Sequence, residues 1–253
     1  MIPTSIDGTD ITGATIDGTD VQEITVDGDV VFTAAPSLPA SAIHQYKFDE
    51  GSGNTAFDSI GNRNLTNNGP SYVADSDFVG GFKVDFAGGD ADQHFAGASE
   101  DPTLQRSNNF SFAVTIVPDA FNNRGNVVFN GYDGGEDQFV ITTDSELVAG
   151  FVTPSIRRLD QVDQSMSVGE RARIVFTWDG STSTLYKNTN PSTANNSGSD
   201  IRSSSTGGNM FRIGFSNNNT HDFNGVMDNA VIYNSALTQA EVQTDFDAQP
   251  WTP

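Results

Sequence analysis

"YKFDEGSGNTAFDSIGNRNLTNNG", Tyr46 to Gly69, decides how this chain of 253 residues folds. It opens on an aromatic–polar–aromatic alternation, Tyr46-Lys47-Phe48, the period of a half-buried strand, and then dissolves into Gly, Asn and Ser, the residues of turns. The same texture recurs along the chain. Short alternating or apolar runs, "FKVDF" (82–86), "FSFAVTIV" (110–117), "NVVFNG" (126–131), "DQFVITT" (137–143), "LVAGFV" (147–152), "RARIVFTWDG" (171–180), "STLYKN" (183–188), "MFRIGF" (210–215) and "VMDNAVIY" (226–233), stand between turn-rich stretches. Many short strands at close spacing predict an all-β, two-sheet antiparallel jelly-roll sandwich. "DSIGNRNLTNNGPS" (58–71) and "NPSTANNSGSDIRSSSTGGN" (190–209) are expected to be loops from their composition. One helix is expected, Leu237–Asp247, with Thr238 as N-cap and Glu241 three residues on to complete a capping box.

Upstream of "AAPSLPAS" (34–41), two prolines among small residues that read as a linker, the chain repeats itself. SIDGTDITGA, TIDGTDVQEI and TVDGDVVFTA follow one another from Ser5, with Ile6, Ile16 and Val26 in register and an Asp-Gly after each. Asp-Gly favours tight hairpin turns because Gly accepts positive φ. Ile24–Val26 is expected to pair with Val30–Phe32, and the earlier copies to be short strands joined by the same turn. So small a β-segment cannot bury a core by itself. Ile6, Ile16 and Val26 are therefore expected to act as an anchor on a partner, on copies of the chain in a symmetric homo-oligomer, or on the main domain. The expected division is residues 1–33 as β-repeat, 34–41 as linker and 42–253 as the main domain.

Aspartate and glutamate total 33 against 12 lysines and arginines, a formal net charge of −21. Lysine is confined to Lys47, Lys83 and Lys187, and aspartate far outnumbers glutamate. Mutual repulsion at this charge opposes folding in dilute buffer and is silenced in concentrated salt, so the composition points to a high-salt setting. It also leaves no basic stripe for nucleic acid. The absence of cysteine excludes disulfides and thiolate metal sites. No apolar run is long enough to insert in a membrane, and the N-terminus lacks the basic start and apolar stretch of a secretory signal.

The opening stretch resembles the start of laminin-G-like, concanavalin-A-like domains: an aromatic-x-Phe-acid-Glu-Gly-Ser-Gly followed by Asp-Ser-x-Gly. "GGFKVDFAGGDADQHF" (80–95) resembles the family's next strand pair, "RARIVFTWDGSTSTLYKN" (171–188) its Trp-Asp-Gly hairpin, and "FNGVMDNAVIYNSALTQAEV" (223–242) its closing strand and helix. The resemblance runs from about Ala42 to Ala248. Two positions depart from it: Asn188 stands where a turn glycine is usual, and Asn229 where a glutamate follows Asp228. The fold implied is the jelly roll already expected, with its ends meeting, so that Asp58 would approach Asp228 with Asp49 or Glu50 nearby. Such a carboxylate set suits a structural Ca²⁺; the alternative is that Asp58 caps a turn and Asp228 is held by hydrogen bonds. The N-terminal repeat resembles attachment segments of tailed-virus structural proteins, and the composition resembles proteins of halophilic archaea and their viruses.

Jelly-roll glycosidases carry alternating Glu-x-Asp-x-x-Glu carboxylates on one strand, which set an acid and a nucleophile within reach of one bond. No such run occurs here. His44, His94 and His221 sit in no nucleophile or zinc motif. The expectation is a binding protein rather than an enzyme. Sugar recognition needs aromatic platforms with polar neighbours, for which Tyr132, Tyr72 and Phe151 are candidates. The combined expectation is a virion surface protein of a halophilic tailed virus, docked to other virion proteins through its repeat and presenting the jelly roll to a host-surface glycan or glycoprotein. A cellular lectin-like module is the alternative, and a glycan-cleaving enzyme a third reading.

Overall fold

The computed structural model describes residues 5–6, 9–10, 15–16, 19–20, 23–26, 29–33, 37–87, 93–105, 107–121, 125–131, 138–144, 146–152, 159–195, 210–214 and 222–249. The chain divides into two compact units, Met1–Leu38 and Pro39–Pro253, a division that falls inside the expected linker.

The first unit is three hairpins in series. β1 (Ser5–Ile6) pairs with β2 (Thr9–Asp10), β3 (Thr15–Ile16) with β4 (Thr19–Asp20), and β5 (Glu23–Val26) with β6 (Asp29–Thr33). Each pair is antiparallel and forms its own two-stranded sheet. Exactly one Asp-Gly lies between the strands of each hairpin, so the ten-residue sequence period is the period of the hairpins. Ile6, Ile16 and Val26 all lie on these strands; what their side chains touch is outside the described residues.

The second unit is a sandwich of two eight-stranded antiparallel sheets. Its strands in chain order are β7 (Ala42–Tyr46), β8 (Thr55–Ala56), β9 (Leu65–Asn68), β10 (Ser71–Ala74), β11 (Phe82–Ala87), β12 (His94–Ala96), β13 (Phe110–Pro118), β14 (Gly125–Gly131), β15 (Gln138–Asp144), β16 (Glu146–Val152), β17 (Leu159–Gln164), β18 (Ala172–Trp178), β19 (Thr182–Lys187), β20 (Asn190–Asn195), β21 (Met210–Ile213) and β22 (Asn224–Tyr233). The first sheet runs β10-β11-β22-β13-β18-β19-β20, with β7 lying beside the second half of β22; the second sheet runs β17-β16-β15-β14-β21-β12-β9-β8. The core between them is dominated by aromatic rings, among them Phe86, Phe95, Phe110, Phe112, Phe139, Phe176 and Trp178, all essentially inaccessible. These are the apolar members of the alternating runs, turned inward by the strand period.

The expected jelly-roll sandwich is the fold observed. Several strands were hidden by composition, the short β8 and β10 among them. Leu65–Asn68 and Asn190–Asn195 were expected to be loop but are strands β9 and β20, and β17 carries no apolar alternation. Only Leu65 of β9 is buried; Thr66 and Asn68 are exposed and Asn67 is half-buried. β20 is an edge strand, which is where Pro191 is tolerated because its missing N–H faces no neighbour.

The helix α1 (Gln239–Asp247) begins two residues later than expected and has the expected cap. The Glu241 amide donates to Thr238 Oγ1 at 3.3 Å, and the Thr238 amide donates to Glu241 Oε2 at 2.8 Å. α1 lies on the side of the first sheet away from the core. There Arg173 of β18 donates to both carboxylate oxygens of Asp245, at 2.8 and 2.7 Å, with both side chains wholly buried. Tyr233 donates its hydroxyl to the same carboxylate.

Both departures from the family pattern fall where the backbone turns left-handed. Asn188 has φ 58° and Asn229 φ 47°, a region asparagine enters more readily than most residues. Asn188 replaces the turn glycine and adds a bond, its Oδ1 accepting from the Arg173 amide at 3.0 Å. Asn229 sits in a bulge of β22, where Val114 alone faces Asn229 and Ala230.

Candidate functional site

β7 carries His44 and Gln45 to the start of the sandwich, and the loop after β8 wraps around one carboxylate there. Asp58 Oδ1 accepts from the amides of Gln45 at 3.0 Å, Gly61 at 2.9 Å and Ile60 at 3.3 Å. Its Oδ2 accepts from the Arg63 amide at 3.0 Å and lies 2.6 Å from His44 Nδ1. Burial by itself would raise the pKa of Asp58, but the amides of Arg63, Gly61 and Gln45 and the His44 ring outweigh it and hold the carboxyl below its usual value. Gly61 is required by this wrapping: a Cβ there would stand 2.6 Å from both Asp58 Oδ2 and His44 Nδ1. Three further amides of the loop are also engaged. Phe57 donates to Glu50 Oε1 at 2.7 Å, Asp58 to Asn64 Oδ1 at 3.0 Å and Ser59 to the Gln45 carbonyl at 2.8 Å.

A second buried carboxylate, Asp101, backs this loop. It lies 3.7 Å from His44 Nε2 and 3.5 Å from Arg63 Nε, and its other oxygen accepts from the Thr103 amide at 2.9 Å. Arg63 donates through Nη2 to the carbonyls of Ser99 and Glu100. His44 and Arg63 thus tie the 57–64 loop to residues 99–103.

The residues expected to hold calcium are not gathered. Asp58 is saturated by amides and His44. Asp49 is exposed and packs against Gly80, whose added Cβ would meet Asp49 Cβ at 2.5 Å. Asp228 is buried on β22 in the field of Arg171 and Arg173. Among the described residues no group of three or more His, Cys, Asp or Glu could hold a metal ion. Asp58 already accepts from four amides and faces His44, and Asp49 and Asp228 are not grouped with it, so these three carboxylates do not form a Ca²⁺ site among the described residues.

The aromatic candidates are placed as follows. Phe151 is 1% exposed among Phe110, Phe139, Phe176 and Trp178, a core ring rather than a platform. Tyr72 is half-buried, its ring edge-on to Phe95 at 6.2 Å and its hydroxyl donating to the Thr55 carbonyl at 3.3 Å. Burial, reinforced by the Glu50 carboxylate, pushes that phenol upward. Tyr132 lies outside the described residues. The aromatic that sequence reading passed over is Phe57. At 57% exposure it is the one large exposed aromatic among the described residues, and Ile60 of the same loop is 45% exposed. A signal was present in "NTAFDSIGN": two apolar residues isolated among turn formers, with no strand period to turn them inward.

A laminin-G family model, described as concanavalin A-like lectin/glucanases superfamily, matches residues 88–243, more than half of the chain. The chain belongs to this superfamily. Its laminin-G-like domain begins upstream of the matched span, since β7 and β11 complete the first sheet against β22. Solved structures share the fold at low identity. Domain 4 of AbnA, a GH43 extracellular arabinanase from Geobacillus stearothermophilus solved in complex with arabinotriose, is 18% identical with a TM-score of 0.58, over 81% of this chain and 98% of that domain. The Trypanosoma rangeli sialidase is 15% identical with a TM-score of 0.61, over 89% of this chain but 35% of the sialidase. The binding domain of Paraclostridial Mosquitocidal Protein 1 is 16% identical with a TM-score of 0.57, over 81% of this chain and 51% of that one. No curated protein matches the sequence.

Proposed function

We propose that this protein is a non-catalytic glycan-binding module, held by its hairpin repeat on the surface of a virion from a high-salt environment, where the laminin-G-like domain meets a host-surface glycan or glycoprotein. The observation that carries the glycan reading is correspondence in extent. This chain covers almost the whole of domain 4 of an arabinanase that was solved in complex with arabinotriose. The lack of a Glu-x-Asp-x-x-Glu strand supports binding without cleavage.

The virion reading is supported by the hairpins and by the charge. Three serial two-stranded sheets leave strand edges with unpaired amides and carbonyls, which other virion proteins or further copies of the chain can complete. A net charge of −21 is tolerated best where salt screens it.

The test is an oligosaccharide array probed with the full chain in molar KCl, followed by calorimetry on any ligand found and an assay for released reducing ends. Reversible binding without release is expected. Sugar release at a catalytic rate, or no binding to any glycan, overturns the reading. A chain starting at Pro39 is expected to bind the same glycans and to be absent from assembled particles.

A further inference from the structure

The loop between β8 and β9 combines rigidity with an exposed apolar surface. The amides of residues 58 to 61 and of Arg63 are spent inside the loop or on β7, and that of Phe57 on the Glu50 carboxylate. The course so fixed leaves both Phe57 and Ile60 in water, against the hydrophobic effect. Exposed asparagines flank the pair in sequence: Asn54 just before β8, and Asn62 and Asn64 within the loop.

We infer that this loop is the sugar-contacting site of the domain: the Phe57 ring stacks on one face of a neutral sugar ring, Ile60 lines its edge, and the amides of Asn54, Asn62 and Asn64 hydrogen-bond its hydroxyls. This rests on the glycan-binding reading above and names the site and the ligand class. Three features select a sugar. An aromatic face bordered by amides matches the alternating apolar and hydroxyl-bearing faces of a pyranose or furanose. Two apolar side chains set among asparagines fall short of the apolar centre of a stable protein interface, which takes about 800 Å² from each partner. An aromatic carried on a backbone fixed before binding leaves less to be ordered on contact, which suits a ligand with few contacts to offer. The ligand is neutral because Glu50 contacts the loop and Asp49 precedes it in sequence, in a chain of net charge −21, a field that repels carboxylated or sulfated glycans.

The test uses the full chain and its Phe57→Ala, Phe57→Tyr and Ile60→Ser variants. Each is titrated with neutral trisaccharides (arabinotriose, cellotriose, maltotriose, triacetylchitotriose) and with anionic ones (3′-sialyllactose, trigalacturonate). Because Phe57 is exposed, all variants are expected to melt with the parent. Phe57→Ala is expected to weaken binding of a neutral trisaccharide by roughly tenfold, Phe57→Tyr to restore it, and Ile60→Ser to cost less. The anionic sugars are expected not to bind. If the parent binds a neutral sugar and Phe57→Ala binds it equally well, the site is elsewhere, while the glycan-binding reading stands. Preference for an anionic sugar overturns the ligand class. If Phe57→Ala disperses an oligomer and leaves sugar affinity intact, the loop is a contact between copies. If no sugar binds the parent protein, the reading beneath this inference fails with it.

Discussion

Two buried aspartates hold this domain together by opposite means. Under α1, Asp245 meets a guanidinium in a bidentate pair with no water on either side. In the loop after β8, Asp58 meets the amides of Gln45, Ile60, Gly61 and Arg63 together with one imidazole. A charge matched by a charge fixes one element against another and says little about the shape of either. A charge matched by amides fixes the course of the chain that supplies them. Asp245 therefore docks a helix, whereas Asp58 sculpts a surface loop and decides which of its side chains are left in water.

The comparison breaks first at Asp245. Asp245→Ala leaves Arg173 charged and buried without its partner, and is expected to cost about 3–5 kcal/mol in a denaturant titration. Joint replacement by Arg173→Met and Asp245→Leu is expected to recover most of that, since apolar side chains carry no desolvation cost there. A double variant as unstable as the single one would mean that the pair, and not the burial of an orphan charge, holds the helix.

Asp58→Ala removes the acceptor from four amides and is expected to cost about 2 kcal/mol, less than the ion pair because water can reach part of the loop. The effect has a pH signature. The folded-state pKa of Asp58 is depressed, so its stabilisation is fully present above the ordinary carboxylate value of about 4 and is lost as pH falls through the folded value. Stability curves of the parent and of Asp58→Ala are expected to run apart at neutral pH and to converge in acid. Curves that stay parallel would remove the amide cage from the account.

At Asn188 the expected effects are smaller. Asn188→Gly keeps the left-handed turn and is expected to be close to neutral, whereas Asn188→Ala, strained at φ 58° and lacking the bond to the Arg173 amide, is expected to cost about 1–2 kcal/mol. The order of melting temperatures checks this. The smallest effect is one of salt. From about 0.01 M to about 1 M KCl the Debye length falls from roughly 30 to 3 Å, which is expected to raise the stability of the parent by screening its surface charge. The deficit of Asp245→Ala is expected to change by no more than about 0.5 kcal/mol across that range, because screening hardly reaches a buried pair. A parent indifferent to salt would remove the support for a high-salt setting.

The fold was legible because its strands are strongly patterned. The runs that became β13, β18 and β22 alternate around aromatic and branched residues, the Asp-Gly repeats fall between paired strands, and Thr238 and Glu241 announce the helix. β9, β17 and β20 were not legible, because strands near the sheet edges need few inward residues and look like loop. The candidate site was harder to read. Asp58, Asp228 and Asp49 were grouped by residue type, but the partners that satisfy them are amides and arginines distant in sequence. Phe151 and Tyr72 have the right chemistry for sugar, and the sheet turns them inward. The exposure of Phe57 follows from how the chain wraps Asp58, a relation no local pattern encodes.

β22 borders β13 on one side and both β7 and β11 on the other. It is the last of the described strands in chain order, so three strands made earlier must wait for it. Closing contacts across nearly the whole chain is slow, and until β22 arrives the edges of β7, β11 and β13 stand open. On the ribosome, then, the first sheet cannot be completed progressively from its N-terminal strands. It closes in a late step, once residues 224–233 have cleared the exit tunnel, and the interval before that step is when the nascent chain is most open to aggregation.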